Sequence, residues 1–532
     1  MAHPDHGITR SESPKPGLKY PPPLSEDQFE VLIADIKDWQ ITHGSLLKLI
    51  RSDEESTVMS GLVGTTLFPT LFPESLFQEA CRLQRDYNKL YIAVAQDETW
   101  LYETLKELID TDLLTNRLWT IYQEVMQQGY LQDMCLEVFR SDYMLHIDLS
   151  SPSGVKFKQV EFNTIACAGG THSNIISSMH QHLERTGTYQ SNFGSSNSTS
   201  SLYVSPEMLR SSHTVKAISS GIASAHHAYR DAQSKEGLKT CVIMIVQPHN
   251  FNIADERPIE YALWDQSIPT FRVTFGYDVL THTTLTPDGE LIYRPPHRAS
   301  FPPMEVSVVY FRAGFEAHEY EDMGHLARFQ LERSRAIKCP SVLSHLTTLK
   351  KVQQALAMPG ALDRFLSPDE ASAISRTFVP LYPLDKSPLG KKARNIALDE
   401  NQAKDYVLKP SLEGGGHNIY GTKITDFLEE TPQEMWPQYI LMRKIVPPAL
   451  KNFLMSPQGL YEGPVISELG IFGVSLWKRT GKKGTEIIHE QEPSWSFKTK
   501  NASVDEMSVV KGYGCFGSPA LVDDETFAAC VV

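Results

Sequence analysis

The sequence has seven cysteines, Cys81, Cys135, Cys167, Cys241, Cys339, Cys515 and Cys530, and no C-x-x-C pair among them. Scattered and odd in number, they support neither a disulfide framework nor a structural zinc site, and a reducing compartment such as the cytosol is expected. The chain also lacks any run of about 18 apolar residues, the length a membrane-spanning helix requires. Its first residues, MAHPDHGITRSESPKPGLKYPPPL, are polar and Pro-rich with no apolar signal core. Residues 1–23 are therefore expected to form a disordered leader. Positive charge is in deficit, with a net charge of −14. General binding to nucleic acid or to an anionic membrane needs clustered positive charge and is not expected, while a small anion in a local basic pocket remains compatible. There is no G-x-x-x-x-G-K-[ST] and no G-x-S-x-G. Nucleotide binding would need an architecture other than the P-loop, and serine-hydrolase chemistry has no support.

What is present is ordinary globular composition: 532 residues, 41% hydrophobic and 21% charged. That length can bury several cores. Ser25 and Gln28 form a capping box ahead of Phe29, Leu32, Ile33 and Ile36 at helical spacing. Helical patterning continues to about residue 127, and short strand-like runs follow between 137 and 165. The stretch Thr186 to Ser201 is low-complexity and reads as a surface loop. Strands are predicted at Cys241–Val246 and Val306–Phe311, with Arg312 at the end of the second, and later at Tyr406–Leu408, Tyr439–Met442, Val465–Phe472 and Thr485–His489. Leu331–Lys338 reads as a helical, solvated face. This alternation predicts an α/β layered architecture whose last part is antiparallel. The organisation expected is a helical and sheet region over 24–236, an α/β substrate-binding region over 237–345 and a third region over 346–532. No internal repeat is visible.

Four segments carry candidate chemistry. In Asp405-Tyr-Val-Leu-Lys409-Pro-Ser-Leu-Glu413-Gly-Gly-Gly416-His-Asn418-Ile-Tyr420, a short apolar strand ends in a lysine, then a carboxylate, then three glycines. Uncovered backbone N–H groups can close over phosphate oxygens, Lys409 can offset their charge, and Glu413 can hold a magnesium ion against them. A strand followed by a plain glycine turn is the alternative. In Gln159-Val-Glu161-Phe-Asn163, Glu161 and Asn163 share one strand face, and two oxygen donors side by side suit magnesium; a solvated edge strand is the alternative. Arg140, in Phe139-Arg140-Ser-Asp-Tyr143, can grip a carboxylate or acyl phosphate with both arms. Glu468 interrupts an apolar strand, where a lone buried carboxylate is costly, so a ribose hydroxyl or another polar partner is expected. Two other features carry less. Gly512-Tyr-Gly514-Cys-Phe-Gly517 matches a dinucleotide fingerprint, but only fifteen residues follow it, too few for the rest of that unit. His180 and His182, two apart in a helical pattern, point in different directions and make a poor metal pair.

Taken together these segments resemble the eukaryotic glutathione synthetases. The collinear phrases are RSDYM (140–144), VEFNT (160–164), VVYFR (308–312), ERSRAIKCP (332–340), KKVQQ (350–354), VLKP..EGGG.N.YG (407–421), YILM.KI (439–445) and ISELGIFG (466–473). The resemblance implies an ATP-grasp fold with a substrate-binding domain and a mobile antiparallel lid, as a homodimer. It implies ATP and Mg2+, small peptide and amino-acid substrates, and a two-step reaction. A carboxylate, in the family that of γ-glutamylcysteine, attacks ATP to give an acyl phosphate, and an amine, in the family glycine, displaces phosphate. Carried over by position, Lys350 and Lys409 would contact the phosphates, and Glu161, Asn163 and Glu413 would hold magnesium. Asn418, Tyr420, Met442, Ile445, Glu468 and Lys500 would line the nucleotide, and Arg140 would stabilise charge at the acyl centre. Asn252, Glu256, Arg312, Phe315, Lys498, Val509 and Val510 would join Arg140 on the substrate side.

The departures from the family pattern cluster on that substrate side. Ser-Val/Ala-Ser-Phe becomes Ala166-Cys167-Ala168-Gly169, one residue shorter. E-R-N-x-F-D-Q becomes Asn250-Phe-Asn252-Ile-Ala-Asp-Glu256. A tyrosine becomes Phe315, and the lid arginine becomes Lys498, which is not a conservative change at a two-armed grip. G-G-V-A-A-G becomes Met507-Ser-Val509-Val510-Lys511-Gly512. Ser411-Leu412 replace Q-R, and Arg443 replaces a glutamate. Three readings follow: an active glutathione synthetase, a paralogous ligase with another carboxylate or amine, and a silent nucleotide-binding protein. The retained Lys350, Lys409, Glu161, Glu413 and Lys500 speak against the last.

Overall fold

The computed structural model describes residues 18–49, 59–190, 201–232, 237–296, 298, 300–321, 323–411, 417–481, 484–509 and 512–531. The expected leader lies outside these residues up to position 17, as do residues 191–200 of the low-complexity stretch. The chain enters through α1 (Glu26–His43), whose Ser25–Gln28 capping box is formed in both directions. Three helices follow, α2 (Glu74–Gln96), α3 (Glu98–Thr111) and α4 (Leu113–Gln128). Along α2, Phe77, Ala80, Leu83, Tyr87, Leu90, Tyr91 and Val94 recur at three- and four-residue spacing and are all buried.

That stripe packs on a long hairpin, β1 (Met134–Ile147) and β2 (Val155–Asn163). Tyr91 stacks on Phe162 at 3.8 Å and Tyr87 on the same ring at 5.5 Å. Alternate residues of β1, namely Phe139, Tyr143 and Leu145, belong to this core. The other face of β1 starts apolar, with Met134, Leu136 and Val138 packed under α6 (Thr214–Asp231). It turns charged at Arg140 and Asp142, so one strand face serves both a core and a cleft. Between the hairpin and α6 lies α5 (Gly170–Arg185). α6 lies close against the sheet because Gly221 carries no side chain: a Cβ there would come within 2.3 Å of Val474.

The middle of the chain supplies β3 (Thr240–Val246), α7 (Ile253–Asp265), β4 (Thr270–Thr274), β5 (Met304–Phe311), α8 (Met323–Arg333) and β6 (Ile337–Cys339). Strands β4, β3, β5, β6 and β1 run parallel in that spatial order. The central β3 and β5 are rich in Val, Ile and Met, as strands covered on both faces are. Leu331–Lys338 differs from its sequence reading. α8 ends at Arg333, Ile337–Cys339 is a strand inside the sheet, and Arg328, Glu332 and Lys338 are buried. The charges are absorbed locally: the Val342 N–H donates to Glu332 at 3.1 Å, Lys338 Nζ donates to the Ser334 carbonyl at 2.8 Å, and the Arg328 guanidinium lies 3.8 Å from the Phe311 ring centroid. A polar pattern alone does not reveal such internal partners.

After α9 (Lys350–Leu356) comes a four-stranded antiparallel sheet of β7 (Leu381–Pro383), β8 (Tyr406–Pro410), β9 (Ile419–Tyr420) and β10 (Tyr439–Arg443). The chain then rejoins the large sheet through β11 (Leu450–Ser456), β12 (Gly459–Thr480), β13 (Gly484–Glu490), β14 (Ser494–Asn501) and β15 (Cys515–Phe516). β12 pairs antiparallel with β1, β11, β13 and β14. Within the fourteen-stranded sheet β1 therefore pairs parallel with β6 on one side and antiparallel with β12 on the other. The site described below lies at that change of direction.

The face of β1 turned away from the cleft carries Glu137, fully buried, with Oε1 accepting from the Ser344 hydroxyl at 2.6 Å and Trp477 Nε1 at 3.2 Å. Its Oε2 has no hydrogen-bond partner among the described residues. Burial pushes this carboxyl up to about 8 against those two hydrogen bonds. Between pH 4.5 and about 8 the unfolded chain releases this proton while the folded chain keeps it, so stability falls as pH rises through that window. Glu137→Gln cannot ionise and is expected to flatten the decline, gaining a few kcal/mol over the parent at pH 8 relative to pH 5. Denaturant midpoints at the two pH values measure it.

Candidate active site

Strand periodicity assembles the charged cluster. On one face, β2 presents Glu161 and Asn163, β1 Arg140 and Asp142, β12 Glu468 and Gly470, and β14 Lys498 and Lys500. The register sets Arg140 opposite Asn163, Asp142 opposite Glu161, and Glu468 opposite Lys498. Arg140 lies flat across the neighbouring strand, its Nε and one Nη each 2.7 Å from an oxygen of Asp142, with the other Nη donating to the Ala168 carbonyl at 3.0 Å. A Cβ at position 470 would fall 2.7 Å from Asp142 Oδ1 and 3.0 Å from Arg140 Cδ, so glycine at that position of β12 is what lets the fork lie down.

Two lysines arrive from outside the large sheet. Lys350, at the first turn of α9, places Nζ 3.3 Å from Glu161 Oε2. Lys409, at the end of β8, donates to the Val160 carbonyl at 2.9 Å and so ties the small antiparallel sheet to β2. Burial disfavours ionisation of Glu161, but Lys350, Lys409, Arg140 and Lys498 outweigh it and hold the carboxyl well below the ordinary range. Burial, helped by Lys350, lowers Lys409 against the pull of Glu161. Burial also lowers Lys500, whose Nζ donates to the carbonyls of Val504 and Asp505 at 2.6 and 2.7 Å. Glu468 is raised by burial although Lys498 lies 2.5 Å away.

Two adjoining cavities open on this cluster. The first, of about 300 Å³, is lined by Arg140, Glu161, Asn163, Lys350, Asn418 and Lys498, by Asn252 and Phe315, and by Val509. The second, of about 250 Å³, has apolar walls from Met144, Val407, Met442, Ile445 and Ile466, with Lys409, Tyr420, Glu468 and Lys500 among its polar groups. Glu161, Asn418, Lys498 and Met507 line both. Such a pair, the second slot with apolar walls and a charged edge and the first with Arg140 and Lys350, can seat a flat heterocycle with its phosphates beside a carboxylate.

Two sequence-derived candidates stand behind the cavity wall. Arg312 is buried, pairs with Asp255 at 3.1 Å and Glu256 at 3.4 Å, and donates to the Cys167 carbonyl. Glu256 also pairs with Arg272 at 2.8 Å and accepts from Asn250 at 2.6 Å. The departures at 250 and 256 are thus one exchanged acid–amide pair whose members still bond. Asp255 accepts from the N–H groups of Gly169 and Thr171, both at 3.0 Å, which fixes the start of α5. Glu413 and Val510 lie outside the described residues. His180 is buried and bonded to Tyr189 at 2.6 Å, while His182 stacks against Trp39.

Several lining residues were not singled out from sequence. Asp142, which clamps Arg140 without lining either cavity, was legible, since it stands two positions from Arg140 on the same strand face. His172, His417, Asp505 and Glu506 carried no signal of their own. They reach the site through loops and a helix start, where no periodicity assigns a direction.

Against this geometry, residues 26–521 match the family described as eukaryotic glutathione synthase, ATP binding domain. The chain belongs to the eukaryotic glutathione synthase family. The glutathione synthetase large chain of Schizosaccharomyces pombe is 33% identical over 519 residues, covering 94% of this chain and 98% of its own length. Glutathione synthetase of Homo sapiens is 33% identical over 455 residues, covering 84% and 89%. Among solved structures, a glutathione synthetase-like effector from Globodera pallida in its apo form superposes with a TM-score of 0.69 at 20% identity, covering 94% of this chain and 98% of that one. The family match and that likeness together give the fold: mixed α/β of the ATP-grasp type, as the sequence implies. Among the described residues of this glutathione synthase family member, no helix is long and apolar enough to cross a membrane.

Proposed function

We propose that this chain is an ATP-dependent carboxylate–amine ligase that joins γ-glutamylcysteine and glycine into glutathione. The observation that carries the reading is the shared wall of the two cavities, where Glu161 and Lys498 face both and Arg140 and Lys350 stand beside them. The adenine and ribose occupy the apolar slot between Met144, Met442, Ile445 and Ile466, with Glu468, Tyr420, Asn418 and Lys500 at its polar edge. Lys409 and Lys350 take the phosphates. The peptide carboxylate attacks the γ-phosphorus, ADP leaves, and the amine then displaces phosphate from the acyl phosphate. Positioning and neutralisation of charge supply most of the acceleration in such transfers. The Arg140 guanidinium, clamped by Asp142, meets the negative charge that develops at the acyl carbon.

The donor set fits magnesium. Asn163 donates its amide nitrogen to Asp142 at 3.0 Å and to Glu161 Oε1 at 3.5 Å, which commits the nitrogen to the two carboxylates and leaves the amide oxygen as the metal-ligating atom. Among the described residues no three His, Cys, Asp or Glu side chains converge as a protein-only cage, and magnesium is commonly shared between one or two carboxylates and substrate phosphates. Glu161, Asn163 and Glu413 would hold the ion, which would neutralise the triphosphate. The same reading carries a cytosolic homodimer acting on small peptide and amino-acid substrates. The test is direct: purified protein with ATP, magnesium, γ-glutamylcysteine and glycine is expected to release phosphate in step with glutathione. No phosphate with this pair would remove the glutathione reading, and none with any panel of dipeptides and amines would remove the ligase reading.

Lys498 bears on the acceptor. Already paired with Glu468, its single ammonium has little left for a second carboxylate, whereas an arginine fork can serve both. Lys498→Arg is expected to raise kcat/KM for glycine by about tenfold, the worth of one good charge-assisted hydrogen bond. A glycine titration at saturating ATP reads it, and no gain would separate Lys498 from acceptor recognition.

A further inference from the structure

His172 lies in the first turn of α5 and lines only the first cavity. It is 1% exposed, and its ring stacks on Phe516 at 4.9 Å, so the imidazole has one stable orientation. The backbone beneath it is equally fixed. Asp255 holds the N–H groups of Gly169 and Thr171, and the Thr171 hydroxyl donates to the Asp255 carbonyl at 2.6 Å. Neither ring nitrogen meets full hydrogen-bond geometry among the described residues, and the Asn252 side chain, near enough for a weak hydrogen bond, can serve only one of the two. Burial keeps this imidazole below its usual value against Asp255 and Asn252, so at neutral pH it offers one donor and one acceptor. A buried polar group left without partners costs free energy unless something fills the gap.

The cavity has a direction. Glu161 lines both cavities and so marks the end that adjoins the second, with Lys350 3.3 Å from it and Arg140 near enough to lower its pKa, whereas His172, Asn252 and Phe315 line only the first. Around this second group, Arg312 and Glu256 have turned their charges on each other and on Asp255 and Arg272. Phe315 offers no hydroxyl. Among the described lining residues Glu161 is the only carboxylate, and it belongs to the other end. His172 and Asn252 therefore offer hydrogen bonding at the end away from Glu161. A dipeptide whose C-terminal carboxyl is activated beside Arg140 extends its opposite end toward them.

We propose that His172 is a specificity-determining contact of the donor peptide, hydrogen-bonding the charged amino-acid head of the γ-glutamyl group. This rests on the ligase reading above, and the experiment separates the two. Initial rates are measured for the parent, His172→Ala and His172→Asn with two donors: γ-glutamylcysteine, and N-butanoylcysteine, which has the same acyl chain without the α-ammonium and α-carboxylate. His172→Ala is expected to raise KM for γ-glutamylcysteine about tenfold with kcat retained, as loss of one hydrogen bond made in ground and transition states alike does. It should leave kcat/KM for N-butanoylcysteine and KM for ATP within about twofold, and His172→Asn should recover part of the loss. A general loosening of the fold would instead move all three constants together. Equal loss with both donors, or an unchanged KM for γ-glutamylcysteine, overturns the proposal. If the parent turns over neither donor, the ligase reading is what fails. Calorimetric titration of parent and His172→Ala with γ-glutamylcysteine in the presence of magnesium and ADP then decides the contact, and equal affinity, or no binding to the parent, overturns it.

Discussion

Arg140→Lys is expected to lower kcat for glutathione formation by about 10²–10³, the effect of removing one well-placed donor from a developing oxyanion. The charge is kept, so the loss isolates geometry. In the parent, two nitrogens of Arg140 are committed to Asp142 at 2.7 Å each and a third to the Ala168 carbonyl at 3.0 Å. The guanidinium is held before substrate arrives, with no reorganisation left to do. A lysine ammonium can answer Asp142 or the acyl centre but cannot lie across Gly470 and reach both. Removing the charge altogether is a poorer experiment. Asp142 is 1% exposed, and stripping a buried carboxylate of its partner costs about 3–5 kcal/mol, so Arg140→Met would mix unfolding with catalysis. For Arg140→Lys, kcat and kcat/KM should fall together while KM for ATP holds, the pattern of an interaction made in the transition state. A kcat within about threefold of the parent would remove Arg140 from the chemistry.

How much of this site the sequence shows depends on how each residue is delivered. Arg140, Glu161 and Asn163 stand on strands, where a period of two states which side chains share a face. Their phrases could be placed before any register was known. The strands at 241–246, 306–311, 406–408 and 439–442 were legible for the same reason, each being a short apolar run between polar breaks. The pairing of Lys498 with Glu468 was not legible, because it depends on the antiparallel register of β12 and β14, set by contacts thirty residues apart in sequence. Arg312 and Glu256 show a second limit of pattern reading. Each looks like a ligand-binding charge, but a buried charge satisfied by another buried charge has the same sequence signature as one awaiting a substrate. The changes at Asn250 and Glu256 read separately as two altered substrate contacts; in space they are a single hydrogen-bonded pair with its acid moved from one partner to the other. His172 shows the opposite case. Nothing in Gly-Gly-Thr-His marks a contact residue, and its meaning comes only from the cavity that α5 happens to face.

Glu161→Gln should be the other large loss, about 10²–10³ in kcat, with a higher magnesium concentration needed for half-maximal rate. The substitution keeps size and hydrogen-bonding capacity and removes one negative charge from beneath four positive ones. The cations Lys350, Lys409, Arg140 and Lys498 hold Glu161 ionised in the parent, so the variant leaves their field unbalanced. Triphosphate alone should then bind as well as before or better, since the pocket has become more positive. What fails is the step in which phosphoryl transfer needs metal and phosphate held together in one geometry. The two effects have opposite signs: KM for ATP steady or lower, kcat much lower. Lys350 loses its partner at 3.3 Å, but at the cavity wall the ammonium can turn to the incoming phosphates, so the folded state should tolerate the change. Rates at several magnesium concentrations, with free and complexed ATP calculated at each, separate the two effects. An unchanged magnesium requirement would mean that the carboxylate serves the lysines and not the metal, and the ligand set would then have to be sought elsewhere along β1 and β2.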